Sequence, residues 1–291
     1  MIKLVMVDLD GTLLTPEKKI TEKTIQVIKE FQQKGGVFVV NTGRGYATAS
    51  KIVKEVGISC DYICLSGAGI YDDSGKCIKN DYMTEEEVLV VREIEKKYGI
   101  SINYLTSEGA FSETTKERAV HYYLQEEIAA AEKTEENIDK EKVLEKYQGI
   151  LNYIKYGSNM TEVLQDGANV FKAVIMSENM DSFQKAKEEL VSSMKFKVAM
   201  SSASSMEVNS MRVDKGNAAI DYIKSKGIQM NEVMAIGDSE NDYAMLALPF
   251  GKTVAMENAE KEIKAICSDI TKSNLEDGVA YAIEEWVLHE I

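Results

Sequence analysis

The stretch Leu4-Val5-Met6-Val7-Asp8-Leu9-Asp10-Gly11-Thr12 decides the reading of this chain. Four apolar residues in a row suit a strand buried on both faces, the kind found in parallel sheets. Such sheets bind ligands beyond the carboxyl ends of their strands, so the two acids after Val7 stand where chemistry is done. Residues i and i+2 leave a strand on one face, which lets Asp8 and Asp10 address the same substrate or cation. Gly11 lets the backbone turn without a side chain in the way. Taken alone, the motif equally describes two solvated loop acids that cap whatever follows.

Moving outward, the pattern repeats. Thr21 to Lys34 has a helical period in Ile25, Ile28 and Phe31, stopped by Gly35 and Gly36, and Val37 to Val40 reads as a second strand. That strand runs into Asn41-Thr42-Gly43-Arg44, which puts a hydroxyl and a cation at a second strand end, just before a helical stretch whose start suits an anion. The plainer alternatives are an N-cap for Thr42 and a solvated cation for Arg44. A third strand near Tyr62 to Leu65 follows, then a hairpin through Ile70 and Tyr71, the turn Asp72 to Gly75, and Cys77 with Ile78.

From Met83 the rhythm changes. A helix is expected over Thr84 to Tyr98, strands over Ile100 to Leu105 and Ala110 to Ser112, then an acidic helical region. A strand over Phe171 to Met176, a helix over Asp181 to Met194 and strands over Phe196 to Met200 and Met206 to Asn209 complete the segment. Strands and helices without βαβ alternation indicate a separate α+β module. The alternation returns with a helix over Lys215 to Lys226, a strand over Val233 to Ile236 and a helix over Glu240 to Ala247. A strand over Thr253 to Met256 and helices over Ala259 to Ile266 and Asp277 to Leu288 follow. The expected organisation is a core made of residues 1–82 and 210–291, interrupted by an inserted domain of residues 83–209.

The second half adds charge at two further places. Lys215 opens a helix, where the dipole disfavours a cation by a few tenths of a kcal/mol or more unless an anion is near; Asp214 could cap that helix and pair with it. The apolar run Val233 to Ile236 ends in Gly237-Asp238-Ser239-Glu240-Asn241-Asp242. Helix capping accounts for one of Asp238 and Ser239 but not for the remaining acids. Carboxylates gathered at a strand end suggest a hard divalent cation with oxygen ligands.

Composition narrows the function classes. A net charge of −14 over 291 residues repels phosphate backbones and disfavours nucleic acid as a partner. No run of about 18 apolar residues supports a membrane span, and Met1 to Asp10 lacks the apolar stretch of a signal peptide, so a cytoplasmic protein is expected. Cys60, Cys64, Cys77 and Cys267 have no Cys-x-x-Cys spacing and are expected to be buried, reduced thiols. With only His121 and His289, neither a zinc site nor a Ser-His-Asp or Cys-His mechanism has support. The acidic stretch Glu126 to Glu145, with eight acids and three lysines, reads as a solvated helical face and loop.

Taken in order, Asp8-x-Asp10-Gly11-Thr12, Thr42-Gly43-Arg44, Lys215-Gly216 and Gly237-Asp238-Ser239-Glu240-Asn241-Asp242 resemble the four motifs of the haloacid dehalogenase-like superfamily. The insert between the second and third motifs resembles that of its Cof-type phosphatases, which carry a large α/β cap of type IIB. Val254 to Met256, Asn258, Ala259 and Asn274 to Val279 are similar to the family's late segments. The resemblance implies an α/β fold, a Rossmann-like parallel-sheet core with an inserted α+β cap domain. It also implies Mg²⁺-dependent hydrolysis of a small phosphorylated metabolite, a sugar phosphate or a nucleotide- or cofactor-related phosphate.

Under the same resemblance Asp8 is the nucleophile that forms an aspartyl-phosphate, and Asp10 the general acid and then base. Mg²⁺ is held by Asp8, Asp10 through its carbonyl, and Asp238, with Asp242 on the metal side or orienting the lysine. Thr42, the Gly43 N–H, Arg44, Lys215 and Asn241 face the phosphate. The chain departs from the family pattern at Ser66, usually Asn, at Ser239, often Gly, and at Glu257, usually Gly, which bears on local substrate contacts. Two alternatives stay open: a phosphomutase of the same superfamily, and a non-catalytic module that binds phosphate or metal as a signal.

Overall fold

Leu4, Val5, Met6 and Val7 are wholly inaccessible in the computed structural model, which describes residues 1–131 and 139–290. They form β1 (Leu4–Val7), buried on both faces as its unbroken apolar run requires. β1 pairs in parallel with β2 (Val37–Asn41), which pairs in parallel with β3 (Asp61–Cys64). β4 (Gly69–Tyr71) and β5 (Cys77–Asn80) then extend the sheet as an antiparallel hairpin. The helix between β1 and β2, Glu22–Gln33, is capped by the Thr21 hydroxyl, which accepts from the Thr24 N–H, and buries Ile25, Ile28 and Phe31.

Tyr82–Met211 is a compact unit of its own; the other unit comprises Met1–Asp81 and Arg212–Ile291. In the former, Thr84 and Glu87 form a capping box at the start of the helix Glu85–Tyr98, and Gly99 ends that helix in the left-handed region. A sheet follows from β6 (Ser101–Thr106), β7 (Gly109–Ser112), β8 (Ile154–Tyr156), β9 (Val170–Met176), β10 (Phe196–Ser202) and β11 (Ser205–Ser210). Its order is β10-β11-β9-β6-β7-β8. One face, with Ile102, Tyr104, Ile175 and Val208, packs against Val91 and Ile94 of the helix Glu85–Tyr98 and Phe183 and Leu190 of the helix Met180–Ser192. On the other face Val174 and Met176 meet Tyr122 and Tyr123 of the helix Lys116–Ala131 and Leu151 of the helix Lys140–Tyr153. These two helices carry most of the acidic stretch, of which residues 132–138 lie outside the described residues.

The remainder of the larger sheet consists of β12 (Val233–Gly237), β13 (Lys252–Ala255) and β14 (Asp269–Ile270). β12 pairs in parallel with β1 on the side opposite β2, giving the order β14-β13-β12-β1-β2-β3-β4-β5. The chain therefore leaves β1 in both directions across the sheet, and the ends of β12, β1 and β2 flank the point where strand order reverses, the place open α/β sheets offer to ligands.

Two expectations are corrected. The helix expected over Glu240 to Ala247 is a 3-10 turn, Glu240–Asp242, followed by a short helix, Tyr243–Leu246, because the Asp242 side chain bonds back to the start of the turn. The four thiols are free, but Cys77 is exposed at the edge strand β5 and only Cys60 and Cys64 are buried. The short strands β8 and β14 had no readable period. Among the described residues no helix is long and apolar enough to cross a membrane.

Candidate active site

Lys215 is fully buried at the first turn of the helix Lys215–Lys226. Its Nζ donates to Asp8 Oδ1 at 2.5 Å, to Asp242 Oδ1 at 2.6 Å and to Asn241 Oδ1 at 3.0 Å. The helix start is set by Asp214, whose carboxylate accepts from the Asn217 N–H. It is also held by the buried Asn41 at the end of β2, whose Nδ2 donates to the Lys215 carbonyl at 3.1 Å. Gly216 is required here, since a Cβ would come within 2.3 Å of the Ala244 carbonyl oxygen.

The acids arrive on the two neighbouring strands. The Asp8 N–H donates to the Ile236 carbonyl at 3.0 Å, which locks the end of β1 to β12. Asp238, just past β12, accepts from the Thr12 hydroxyl at 2.6 Å. Gly11 has φ +83°, and a Cβ there would meet the Asp238 carboxylate at 2.3 Å, so the turn after Asp10 is closed to any side chain. Asp242 is wholly buried; its Oδ2 accepts from the N–H groups of Asp238 at 2.9 Å and Ser239 at 3.2 Å, while its Oδ1 serves Lys215.

Asp10 and Arg44 depart from expectation. The Arg44 fork closes on Asp10, with Nε donating to Oδ2 and Nη2 to Oδ1, both at 2.6 Å, and Lys18 Nζ donates to Oδ1 at 2.8 Å. The guanidinium expected to face a phosphate is thus taken by a carboxylate, because its planar fork matches the two oxygens. Thr42 is buried, with its hydroxyl accepting from the Arg44 N–H at 3.1 Å and its carbonyl from the Ser66 N–H at 3.0 Å. Ser66 lies in the left-handed region at φ +59°.

The electrostatics follow from burial. Asp8 is pushed up to about 8 by its burial and by Asp242, against the opposing pull of Lys215. Asp238 is pushed up to about 6 by burial, with the Thr12 hydroxyl acting in the other direction. Burial would lower Lys215, but Asp242 and Asp8 outweigh it and hold the ammonium above its ordinary range. Burial would likewise raise Asp10, yet the bonds from Arg44 and Lys18 outweigh it and hold its carboxyl below the usual range.

Oxygens of Asp8, Asp238 and Asp242 all lie within 4.8 Å of one another. With all three carboxylates ionised, one ammonium leaves two negative charges, the deficit a divalent cation neutralises. The donor set is all oxygen, as Mg²⁺ requires. Asp8 and Asp238 each keep one oxygen outside the bonds from Lys215 and Thr12, whereas both oxygens of Asp242 serve protein donors. The turn after Asp8 is closed by Leu13 N–H to the Asp8 carbonyl and Leu14 N–H to the Leu9 carbonyl, neither of which uses the Asp10 carbonyl. The residues present fit such an ion.

The sequence model of the haloacid dehalogenase-like hydrolases matches residues 5–283. The chain belongs to this family. Two relatives in Bacillus subtilis are named 5-amino-6-(5-phospho-D-ribitylamino)uracil phosphatases. YwtE is 29% identical, covering 98% of this chain and 98% of its own, and YcsE is 27% identical, covering 99% and 96%. A solved haloacid dehalogenase-like hydrolase from the same organism shares the fold with a TM-score of 0.81 at 23% identity, over 98% of this chain and all of the other.

Several residues of this haloacid dehalogenase-like hydrolase hold the site without having been singled out for it. Lys18 reaches Asp10 from the loop beyond the first motif, and Asn41 carries the start of the Lys215 helix. Asn258 Nδ2 donates to the Gly11 carbonyl at 2.8 Å, and Asn274 Nδ2 to the Leu14 carbonyl at 2.8 Å, pinning the turn from a distant part of the chain. An asparagine ending a buried strand was the available signal for Asn41; Lys18 carried none.

Proposed function

We propose that this phosphatase of the haloacid dehalogenase-like family depends on Mg²⁺ and hydrolyses the phosphomonoester of a small metabolite through an aspartyl-phosphate on Asp8. The substrate class is a sugar phosphate or a nucleotide- or cofactor-related phosphate, a reading supported by the ribitylaminouracil phosphatases among its relatives. The observation that carries the proposal is the buried Lys215 ammonium shared between Asp8 and Asp242, with Asp238 in the same cluster.

Lys215 fixes the Asp8 carboxylate through Oδ1, and a carboxylate oxygen of Asp8 attacks phosphorus in line. As that bond forms, the bond to the leaving alcohol breaks, and the alcohol oxygen takes a proton from Asp10. Water then attacks the phosphorus of the aspartyl-phosphate, gives a proton to Asp10, and Asp8 is released with inorganic phosphate. Lys215, the Thr42 hydroxyl and the Gly43 N–H hold and neutralise the phosphoryl oxygens, which is most of what this chemistry asks of a protein. Asn241, on the same ammonium, stands beside them.

Asp8, Asp238 and the Asp10 carbonyl would hold Mg²⁺, which when bound supplies the positive charge that keeps Asp8 ionised and offsets charge on the phosphoryl oxygens. Asp242 orients Lys215 and the loop that carries Asp238. Arg44 and Lys18 keep Asp10 ionised, the state that accepts a proton from water; for Asp10 to act first as the acid, its pair with Arg44 must open on substrate binding.

The test is phosphate release from a panel of phosphorylated metabolites and from p-nitrophenyl phosphate. Release with Mg²⁺, lost with EDTA and in Asp8→Asn, supports the proposal; folded protein that releases nothing from the whole panel contradicts it. An isomerised sugar phosphate in place of free phosphate would identify a mutase.

A further inference from the structure

Asn258 and Asn274 converge on the turn that carries Asp10. Asn258 Nδ2 donates at 2.8 Å to the carbonyl of Gly11, the residue after Asp10. Asn274 Nδ2 donates at 2.8 Å to the carbonyl of Leu14, which forms a bridge with Asp10. The two asparagines are themselves joined, the Asn274 N–H donating to Asn258 Oδ1 at 3.0 Å. One relay therefore holds Asp10 through the residue that follows it and through its bridge partner.

The relay is anchored outside the turn it holds. Asn258 follows β13, and its neighbours are tied to the loop of Asp238: the Met256 N–H donates to the Gly237 carbonyl at 3.0 Å and the Glu260 N–H to the Asp238 carbonyl at 2.9 Å. Asn274 follows β14 in a loop closed by the Gly278 N–H on the Ser273 carbonyl at 3.0 Å and by the Thr271 hydroxyl on the Gly278 carbonyl at 2.6 Å. The turn, by contrast, passes through Gly11, whose backbone has the most freedom to lose.

At rest the Asp10 carboxyl is held by Arg44 and Lys18, and the Arg44 pair has to open before Asp10 can serve as the acid. Once it opens, placement of the carboxyl falls to the exposed Lys18 and to the backbone of the turn. Proton transfer needs the two heavy atoms within about 2.6–3.2 Å, so a turn free to shift by about an ångström would lose it. We propose that Asn258 and Asn274 are positioning residues that keep Asp10 in reach of the leaving oxygen. Their role rests on the phosphatase reading above, and it is felt by substrates whose alcohol needs a proton to leave.

The test compares kcat/KM for p-nitrophenyl phosphate and phenyl phosphate at saturating Mg²⁺. The two esters are similar in shape, but p-nitrophenolate leaves without a proton, whereas phenolate, with a pKa of about 10 like that of tyrosine, leaves well only when protonated. Asn258→Ala is expected to lower kcat/KM at least about tenfold for phenyl phosphate and less than about threefold for p-nitrophenyl phosphate. Asn274→Ala should discriminate in the same direction, and carries the test alone if Asn258→Ala does not fold. In an Asp10→Ala background Asn258→Ala should add no further loss on phenyl phosphate, because a residue that acts through Asp10 has nothing left to position. Equal loss on both esters, or an undiminished further loss in the Asp10→Ala background, would overturn the proposal and leave the phosphatase reading standing. Unmodified protein that hydrolyses only p-nitrophenyl phosphate has no acid in place, which also overturns the proposal; release from neither ester would overturn both readings.

Discussion

Lys215 Nζ lies 2.5 Å from Asp8 Oδ1 although the two residues are 207 positions apart. The contact exists because β12 and β2 flank β1, so that the helix after the inserted unit begins over the end of the first strand. Removing the cation leaves two buried carboxylates uncompensated. Lys215→Met is expected to abolish phosphatase activity and to cost about 3–5 kcal/mol of stability, measured by urea denaturation. A variant as stable as the parent would show that the ammonium is not what holds Asp8 and Asp242 together.

Thr12 acts on Asp238 through one 2.6 Å bond. Thr12→Val removes that bond while keeping the shape of the side chain. Second-layer partners of metal ligands usually matter by about 10–100-fold in affinity, so the Mg²⁺ concentration for half-maximal activity should rise by that order. Activity at saturating Mg²⁺ should fall much less.

Arg44 and Lys18 hold the Asp10 carboxyl below its usual range. Without the guanidinium, Asp10 keeps its proton to higher pH. If it donates that proton to the leaving alcohol, the alkaline limb of the kcat/KM profile should move upward in Arg44→Met. A limb that stays in place would assign the acid elsewhere.

Glu95, in the inserted unit, is pushed up to about 7 from 4.5 by burial, although the Tyr104 hydroxyl donates to it at 2.7 Å. A raised carboxyl means that the folded state binds the proton more tightly than the unfolded one. Its contribution is therefore fully present below about pH 4.5 and lost as pH rises through about 7, a difference of about 3 kcal/mol. Glu95→Gln, which still accepts from Tyr104, should flatten this part of the pH dependence in denaturation experiments. A variant with an unchanged slope between pH 5 and 8 would contradict the assignment.

Much of the core was legible because its signals are local. An apolar run followed by acids identified β1, and a lysine opening a helix was a broken local rule that the structure answers with Asp8 and Asp242. What was not legible depends on packing between distant segments. Arg44 reads as a free cation until Asp10 lies under its fork, and Lys18 has no pattern that announces its reach. The carboxylate of Asp242 turns an expected helix into a 3-10 turn by bonding backwards, which no helical period reveals. The three residues of β8 and the two of β14 are too short to show a period.

The central claim is that Asp8 itself carries the phosphoryl group. The most direct measurement is acid quenching of the enzyme during turnover of a radiolabelled phosphomonoester with Mg²⁺, followed by peptide mapping of the trapped label. Label is expected on the peptide that contains Asp8, none in Asp8→Asn, and none when EDTA is present. Label on another residue, or full turnover by folded Asp8→Asn, would contradict it.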